Sequence, residues 1–129
     1  MRLKIAVVVA ILAIAVVLGR RALGTLTYPA DVGKAFLRTL STASERYRFD
    51  CDSYPSSLEQ LQGQGCRSGD YVTVGGTYER MFSAPEFSDA TSDSLSIRVQ
   101  GQGEAQGVAC VVNVPSQPSC TIDWAQRLW

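Results

Sequence analysis

The N-terminal segment constrains the fold of this chain more than any other feature. Fifteen uncharged residues at positions 5–19 follow a basic start, and Arg20 and Arg21 come directly after them. A helix needs about 20 apolar residues to cross a bilayer core, with about 17 as the low end. The run is short, but arginine stems can extend it because their charged ends reach the headgroups. The sequence therefore predicts a membrane anchor in residues 1–24.

A cleaved secretory signal is the alternative interpretation of the same segment. The apolar core of such a signal spans about 7–15 residues. The sequence Ala22-Leu23-Gly24 also fits the small residues that precede a cleavage site, which would lie before Thr25. Both interpretations bring the chain to a membrane.

Four cysteines predict two disulfides and an oxidising compartment. An even count in a small domain is typical of disulfide bonding outside the cytoplasm. A zinc site is disfavoured because the chain has no C-x-x-C pair and no histidine. Each neighbouring pair brackets one turn, so we predict the local bridges Cys51–Cys66 and Cys110–Cys120.

Residues 24–50, "GTLTYPADVGKAFLRTLSTASERYRFD", are predicted to form an amphipathic helix. Its apolar side chains recur at steps of three and four, which places them on one face: Val32, Phe36, Leu40, Ala43 and Tyr47. Pro29 is expected either to open this helix or to kink one that continues from the membrane segment. Pro55 is expected to stop it.

The rest of the chain is predicted to be a short helix followed by strands. Ser56 and Glu59 have capping-box spacing before the helix "SSLEQL". The pair Gly75-Gly76 between "YVTV" and "TYERMF" predicts a hairpin, and "SLSIRVQ" places Leu95, Ile97 and Val99 on one strand face. "GVACVVNV" and "SCTIDW" are the last two predicted strands. The predicted fold class is α+β, with residues 25–129 forming one domain in which the amphipathic helix packs on an antiparallel sheet of four or five strands.

Composition argues against several functions. Residues 22–129 carry eight basic and twelve acidic residues, which disfavours nucleic acid or anionic lipid as a partner. The absence of histidine removes the usual nucleophile triads, and no phosphate loop or paired-carboxylate motif is present. We therefore predict a protein that is not an enzyme and needs no cofactor.

The run Tyr47-Arg48-Phe49-Asp50, followed by Tyr54-Pro55, resembles the end of the long helix in type IV pilins and in type II secretion pseudopilins. The resemblance implies a pilin-like fold and a non-catalytic component or accessory of such an assembly, whose partners are pilin or pseudopilin subunits or other parts of the machine. It also implies a single-pass protein of the bacterial inner membrane with a periplasmic C-terminal domain, or a secreted one if the signal is cleaved. The two tyrosines are expected to bury their rings while their hydroxyls reach polar partners, and Asp50 to accept backbone donors in the turn.

The sequence also departs from the family pattern. No glycine precedes the apolar run and no glutamate lies within it, so we predict that prepilin peptidase does not process the chain and that a tip or accessory role is favoured. Calcium in a loop is a further property of the major pseudopilins. Glu86, Asp89 and Asp93 are predicted to lie in a loop but do not follow an EF-hand pattern, which favours a solvated acidic loop. The alternative function is a membrane-anchored periplasmic interaction module outside any filament.

Overall fold

A computed structural model of the protein describes the backbone of residues 2–128 and the side chains of residues 2–18 and 27–126. In chain order the helices and strands are α1 (Arg2–Cys51), α2 (Leu58–Leu61), α3 (Thr77–Met81), β1 (Glu86–Ser88), β2 (Leu95–Gln100), β3 (Val108–Val114), β4 (Ser119–Ile122) and α4 (Trp124–Leu128), with a 3-10 turn at Gly103–Ala105 between β2 and β3.

The four strands form one antiparallel sheet in the order β1-β2-β3-β4. Leu95 pairs with Val114 at one end of the β2–β3 ladder, and Val99 pairs with Cys110 near the other. Leu95, Ile97 and Val99 are all buried, as their alternation predicts. The α+β class with a small antiparallel sheet is therefore confirmed.

Helix α1 is a single helix of 50 residues with Pro29 inside it. Pro29 therefore does not open a separate helix. The side chains of residues 2–18 are all exposed, with large apolar residues between 51% and 79% accessible. Within the part of the chain that the structure describes, no helix is both long and apolar enough to cross a membrane.

The second half of α1 covers the sheet. Phe36, Leu40, Ala43 and Tyr47 of the predicted packing face are buried, and Val32 is half-buried against the same core. Ser44 is also fully buried, and its hydroxyl donates to the carbonyl oxygen of Leu40 at 2.7 Å, so its burial leaves no donor unpaired.

Gly33 allows the closest approach of α1 to the sheet. A Cβ atom at this position would lie 2.5 Å from Cys110 Sγ and 2.9 Å from Phe82 Cζ, closer than side chains can pack. The disulfide Cys110–Cys120 therefore packs directly on the helix backbone, and the sulfur of Cys120 lies 3.4 Å from the carbonyl oxygen of Ala30. The role of this glycine could not be predicted from the sequence, because a glycine within a helix pattern does not indicate which residues approach it.

The predicted hairpin at Gly75-Gly76 is wrong. No strand forms at residues 71–74, and residues 77–81 form α3. Tyr78 stacks on Phe36, with ring centroids 4.5 Å apart, and Met81 and Phe82 are buried beside it. These three apolar residues have the i, i+3, i+4 spacing of a helix, which fits their packing better than the two-residue period of a strand.

Three local predictions are also corrected. Helix α1 ends at Cys51, before Pro55, because Asp52 adopts a left-handed conformation with φ of 62°. No side chain caps α2, and the backbone N–H of Ser56 instead donates to Oε1 of Gln60 at 2.8 Å. Glu86 lies in β1 rather than in a loop.

Candidate functional site

The residues that resemble the pilin motif lie together at the C-terminal end of α1. We call this region the helix-end junction. It comprises the segment 45–55 of the chain, the loop 89–94 before β2, and Tyr71. Tyr47, Tyr54 and Pro55 are buried there, and Asp50 is half-buried. The structure thus brings together all four residues of the predicted structural motif.

Tyr54 connects the junction to the loop before β2. Its backbone N–H donates to the carbonyl oxygen of Thr91 at 3.0 Å, and its hydroxyl donates to Oε1 of Glu45 at 2.8 Å. The guanidinium carbon of Arg48 lies 5.2 Å from the centre of the Tyr54 ring, within cation–π range. Tyr54 is thus held through its backbone, its hydroxyl and its ring face.

Arg48 makes a second connection to the same loop. Its Nε donates to the carbonyl oxygen of Ser92 at 2.6 Å, and a terminal nitrogen lies 3.5 Å from Asp93 Oδ1. The ion pair is exposed and is worth little by itself. The bond to the backbone carbonyl fixes the loop against the end of α1.

Asp50 pairs with side chains rather than with backbone donors. The hydroxyl of Tyr71 donates to its Oδ2 at 2.5 Å, and Arg67 lies 3.6 Å from its Oδ1. Asp50 therefore joins the helix end to the loop that follows α2, and the expectation of backbone donors is wrong. Tyr71 was not identified from the sequence, because it belonged to the segment interpreted as a strand.

Tyr47 packs inside this arrangement. Its ring meets Tyr71 edge-on with centroids 5.6 Å apart, and its hydroxyl donates weakly to Gln60 Oε1 at 3.4 Å. The bond Cys51–Cys66 closes the loop from the end of α1 around α2. Both predicted disulfides are formed, and the part of the chain that the structure describes has no free cysteine.

The hydroxyls of two junction tyrosines hold their protons more tightly than usual. Burial, and then the hydrogen bond to Glu45, raise the pKa of Tyr54 above its ordinary value of 10.0. The hydrogen bond to Asp50 is the main cause that raises the pKa of Tyr71. These shifts stabilise the fold only while the phenols are protonated.

Alkaline solution is therefore expected to weaken the junction. Because both folded-state pKa values are raised, the stabilising contribution is complete below pH about 10 and is lost as the pH rises through the folded-state values. The free energy of unfolding, measured by denaturant titration of the full chain in detergent, should fall above pH about 10. The double variant Tyr54→Phe, Tyr71→Phe should show a smaller fall than the wild type. An equal slope in the double variant would contradict the assignment.

Phe49 belongs to the segment 45–55 of the junction, but it is 89% exposed. Two open grooves, of about 460 and 530 Å³, flank it. Glu45 lines both, with Arg48 and Asp93 in one and Arg46 and Asp50 in the other. A large exposed aromatic side chain between polar walls is suited to inserting into a partner protein.

In the described residues, no group of three or more His, Cys, Asp or Glu side chains comes together at the acidic loop. Asp93 pairs with Arg48, and Asp89 adopts a left-handed backbone with φ of 54°. The ion pair of Asp93 joins the loop to the end of α1.

Comparison of the chain with protein-family models, with curated proteins and with solved structures gave no match in any of the three. We therefore infer the function from the geometry of this chain and from the resemblance of residues 43–61 to pilins and pseudopilins.

Proposed function

We propose that the protein is a non-catalytic, membrane-anchored, pilin-like component or accessory of a type IV pilus or type II secretion-type assembly. Its N-terminal segment enters the inner membrane and its C-terminal domain lies in the periplasm. It acts through packing of α1 and through contacts of the head, defined here as residues 27–126. Its partners are pilin or pseudopilin subunits or other proteins of the machine.

The observation that carries this proposal is the division of α1 into two halves. From Val32 to Tyr47 one face of the helix is buried on the sheet, whereas residues 2–18 are exposed on every side. Exposed apolar surface of this extent is typical of a segment that a membrane or another protein covers. A bilayer, or neighbouring helices within the bilayer, would cover residues 2–18. The uncharged run is about 22 Å long at 1.5 Å per residue, which is shorter than a bilayer core of about 30 Å. The anchor therefore also needs the flanking basic residues, whose apolar stems can lie in the core while their charged ends reach the headgroups.

Two other observations support the proposal. At the helix-end junction, residues that resemble the pilin motif join the end of α1 to the loop before β2 and to the loop after α2. The two disulfides fit an oxidising compartment such as the periplasm.

The second candidate is a membrane-anchored periplasmic interaction module that joins no filament. The sequence of the anchor favours it, because the run 5–19 contains no glutamate that could pair with a neighbouring N-terminus. In this case Phe49 would be the contact for a partner outside any pilus.

Membrane insertion through the N-terminal segment is tested by flotation with phosphatidylcholine vesicles. The purified full chain should float with the vesicles. The variant Val8→Asp, Leu12→Asp should remain at the bottom of the gradient, because each aspartate at the centre of a membrane helix costs about 3 kcal/mol. The apolar control Val8→Leu, Leu12→Ile should float like the wild type.

A wild-type chain that fails to float would contradict the membrane anchor. N-terminal sequencing of protein from native cells provides the complementary test. A start at Thr25 would show that the segment is a cleaved signal, and a start near Met1 would show that it is retained.

A further inference from the structure

The contacts of α1 show which end of the sheet faces its N-terminal half. Ala30 and Gly33 lie against the Cys110–Cys120 disulfide. At the other end of the head, Arg48 binds the carbonyl oxygen of Ser92, shortly before β2 begins at Leu95. The end of the sheet that faces the N-terminal half of α1 is therefore the one at which β2 and β4 end and β3 begins. We call this end the base of the head.

Two aromatic side chains are exposed at the base. Tyr28 lies on α1 and is 56% exposed, and Trp124 begins α4 and is 44% exposed. Trp124 is held in place because the backbone N–H of Asp123 donates to the carbonyl oxygen of Gly107 at 2.7 Å. Oδ1 of Asp123 also accepts the backbone N–H of Ala125 at 3.1 Å, which caps α4.

Distances along the chain place the end of β4 close to the residues that follow the apolar run 5–19. Cys120 lies level with Ala30, and strand β4 continues from it for two more residues toward the base at about 3.3 Å per residue. The end of β4 should therefore lie about 7 Å below Ala30, which corresponds to four or five residues of helix. This is the level of α1 at residues 25–26, a few residues after Arg20 and Arg21 in the sequence, and Trp124 follows the end of β4 by two residues.

We propose that Tyr28 and Trp124 form an aromatic contact with the headgroup boundary of the membrane leaflet from which α1 emerges. Tyrosine and tryptophan favour this boundary, because one end of each ring system is apolar and the other forms hydrogen bonds. The inference rests on the membrane anchor proposed above. The head then lies directly on the bilayer instead of extending freely from it.

The ligand is a neutral phospholipid surface rather than an anionic one. Asp31 is exposed next to Ala30, and Asp123 lies beside Trp124. In the sequence these two carboxylates offset Arg20 and Arg21, so these four charges do not select anionic headgroups and the rings provide the contact. Phe49 lies 21 residues along α1 from Tyr28, or about 32 Å, which places it well away from this surface.

Tryptophan fluorescence tests the contact, because Trp124 and Trp129 are the two tryptophans of the chain. The reporter is the full chain with Trp129→Phe, reconstituted in phosphatidylcholine vesicles whose acyl chains are brominated near the headgroup. Bromine quenches only rings that touch it. The matched control carries Trp124→Phe, Trp129→Phe and Phe49→Trp, which moves the reporter to the far end of the head.

The Trp124 reporter should lose emission relative to unbrominated vesicles, because tryptophan at the interface lies near the brominated positions, while the Phe49→Trp reporter should keep its emission. Equal emission of the Trp124 reporter in both kinds of vesicle, in a chain that floats with them, would overturn the contact and leave the anchor intact. A blue-shifted but unquenched Trp124 would also overturn it, because protein rather than lipid would then cover the ring. A reporter chain that does not float would overturn both the anchor and the contact.

Discussion

Replacing Tyr54 with alanine is expected to lower the free energy of unfolding of the full chain by about 3–5 kcal/mol. Tyr54 is 4% exposed, its side chain contacts Glu45 and Arg48 of α1, and its backbone N–H binds the loop before β2. The substitution removes the buried ring and its contacts with Glu45 and Arg48, whereas the backbone bond to Thr91 can remain. A small domain has about 5–15 kcal/mol of stability in total, so this loss is a large fraction of it.

Two variants separate burial from hydrogen bonding in this prediction. Tyr54→Phe keeps the ring and loses only the bond to Glu45, so it should cost about 1 kcal/mol. Phe49→Ala truncates an aromatic residue at the same helix end, but an exposed one, and should change stability by less than about 0.5 kcal/mol. Denaturant titration in detergent measures all three. Equal losses for Tyr54→Ala and Phe49→Ala would show that Tyr54 does not hold the junction.

The two disulfides are expected to contribute unequally, although their loops are similar in length. The cysteines of the pairs are 15 and 10 residues apart, and the chain-entropy model gives about 3 kcal/mol for each. Cys110, however, is 1% exposed and packs on Gly33 and Phe82, whereas Cys66 is exposed. Removing the second bridge therefore also opens a cavity between α1 and the sheet.

The double variant Cys51→Ala, Cys66→Ala should lose about 3 kcal/mol, and Cys110→Ala, Cys120→Ala should lose about 4–5 kcal/mol. Unfolding by denaturant, with each remaining disulfide verified by peptide mapping, provides the comparison. A larger loss for the first pair would contradict the packing of Cys110 against Gly33.

Features with a clear period were predictable from the sequence. Phe36, Leu40, Ala43 and Tyr47 recur at helical steps, and Leu95, Ile97 and Val99 alternate, so their shared faces follow from geometry alone. The cysteines could be paired because each pair brackets one turn. The four motif residues at the end of α1 were identified by resemblance, and the structure brings them together.

The features that escaped prediction depend on contacts between distant segments. Residues 77–82 follow a glycine pair and carry two aromatic residues, which is typical of a hairpin, yet packing of Tyr78 on Phe36 favours a helix over 77–81. Asp50 was expected to bind nearby backbone, but its partner Tyr71 is 21 residues away. Gly33 is needed only because Cys110 and Phe82 approach it, and no local pattern shows that.

Two exposed regions are the proposed contact surfaces. Residues 2–18 form the contact surface of the helix, and Phe49 forms that of the head. A photo-crosslinking residue placed at Val8 samples neighbours within the membrane, and one placed at Phe49 samples neighbours of the head. A third at Asn113 is the control, because this residue is exposed between the buried Val112 and Val114 and faces away from α1.

Photo-crosslinking in native membranes, followed by mass spectrometry of the products, tests whether the protein belongs to such an assembly. We expect position 8 to crosslink to the N-terminal helix of a pilin-type subunit and position 49 to a protein of the same assembly. Position 113 should crosslink to neither. Products at position 8 that contain only lipid, together with no assembly protein at position 49, would contradict a place in any pilus or secretion assembly.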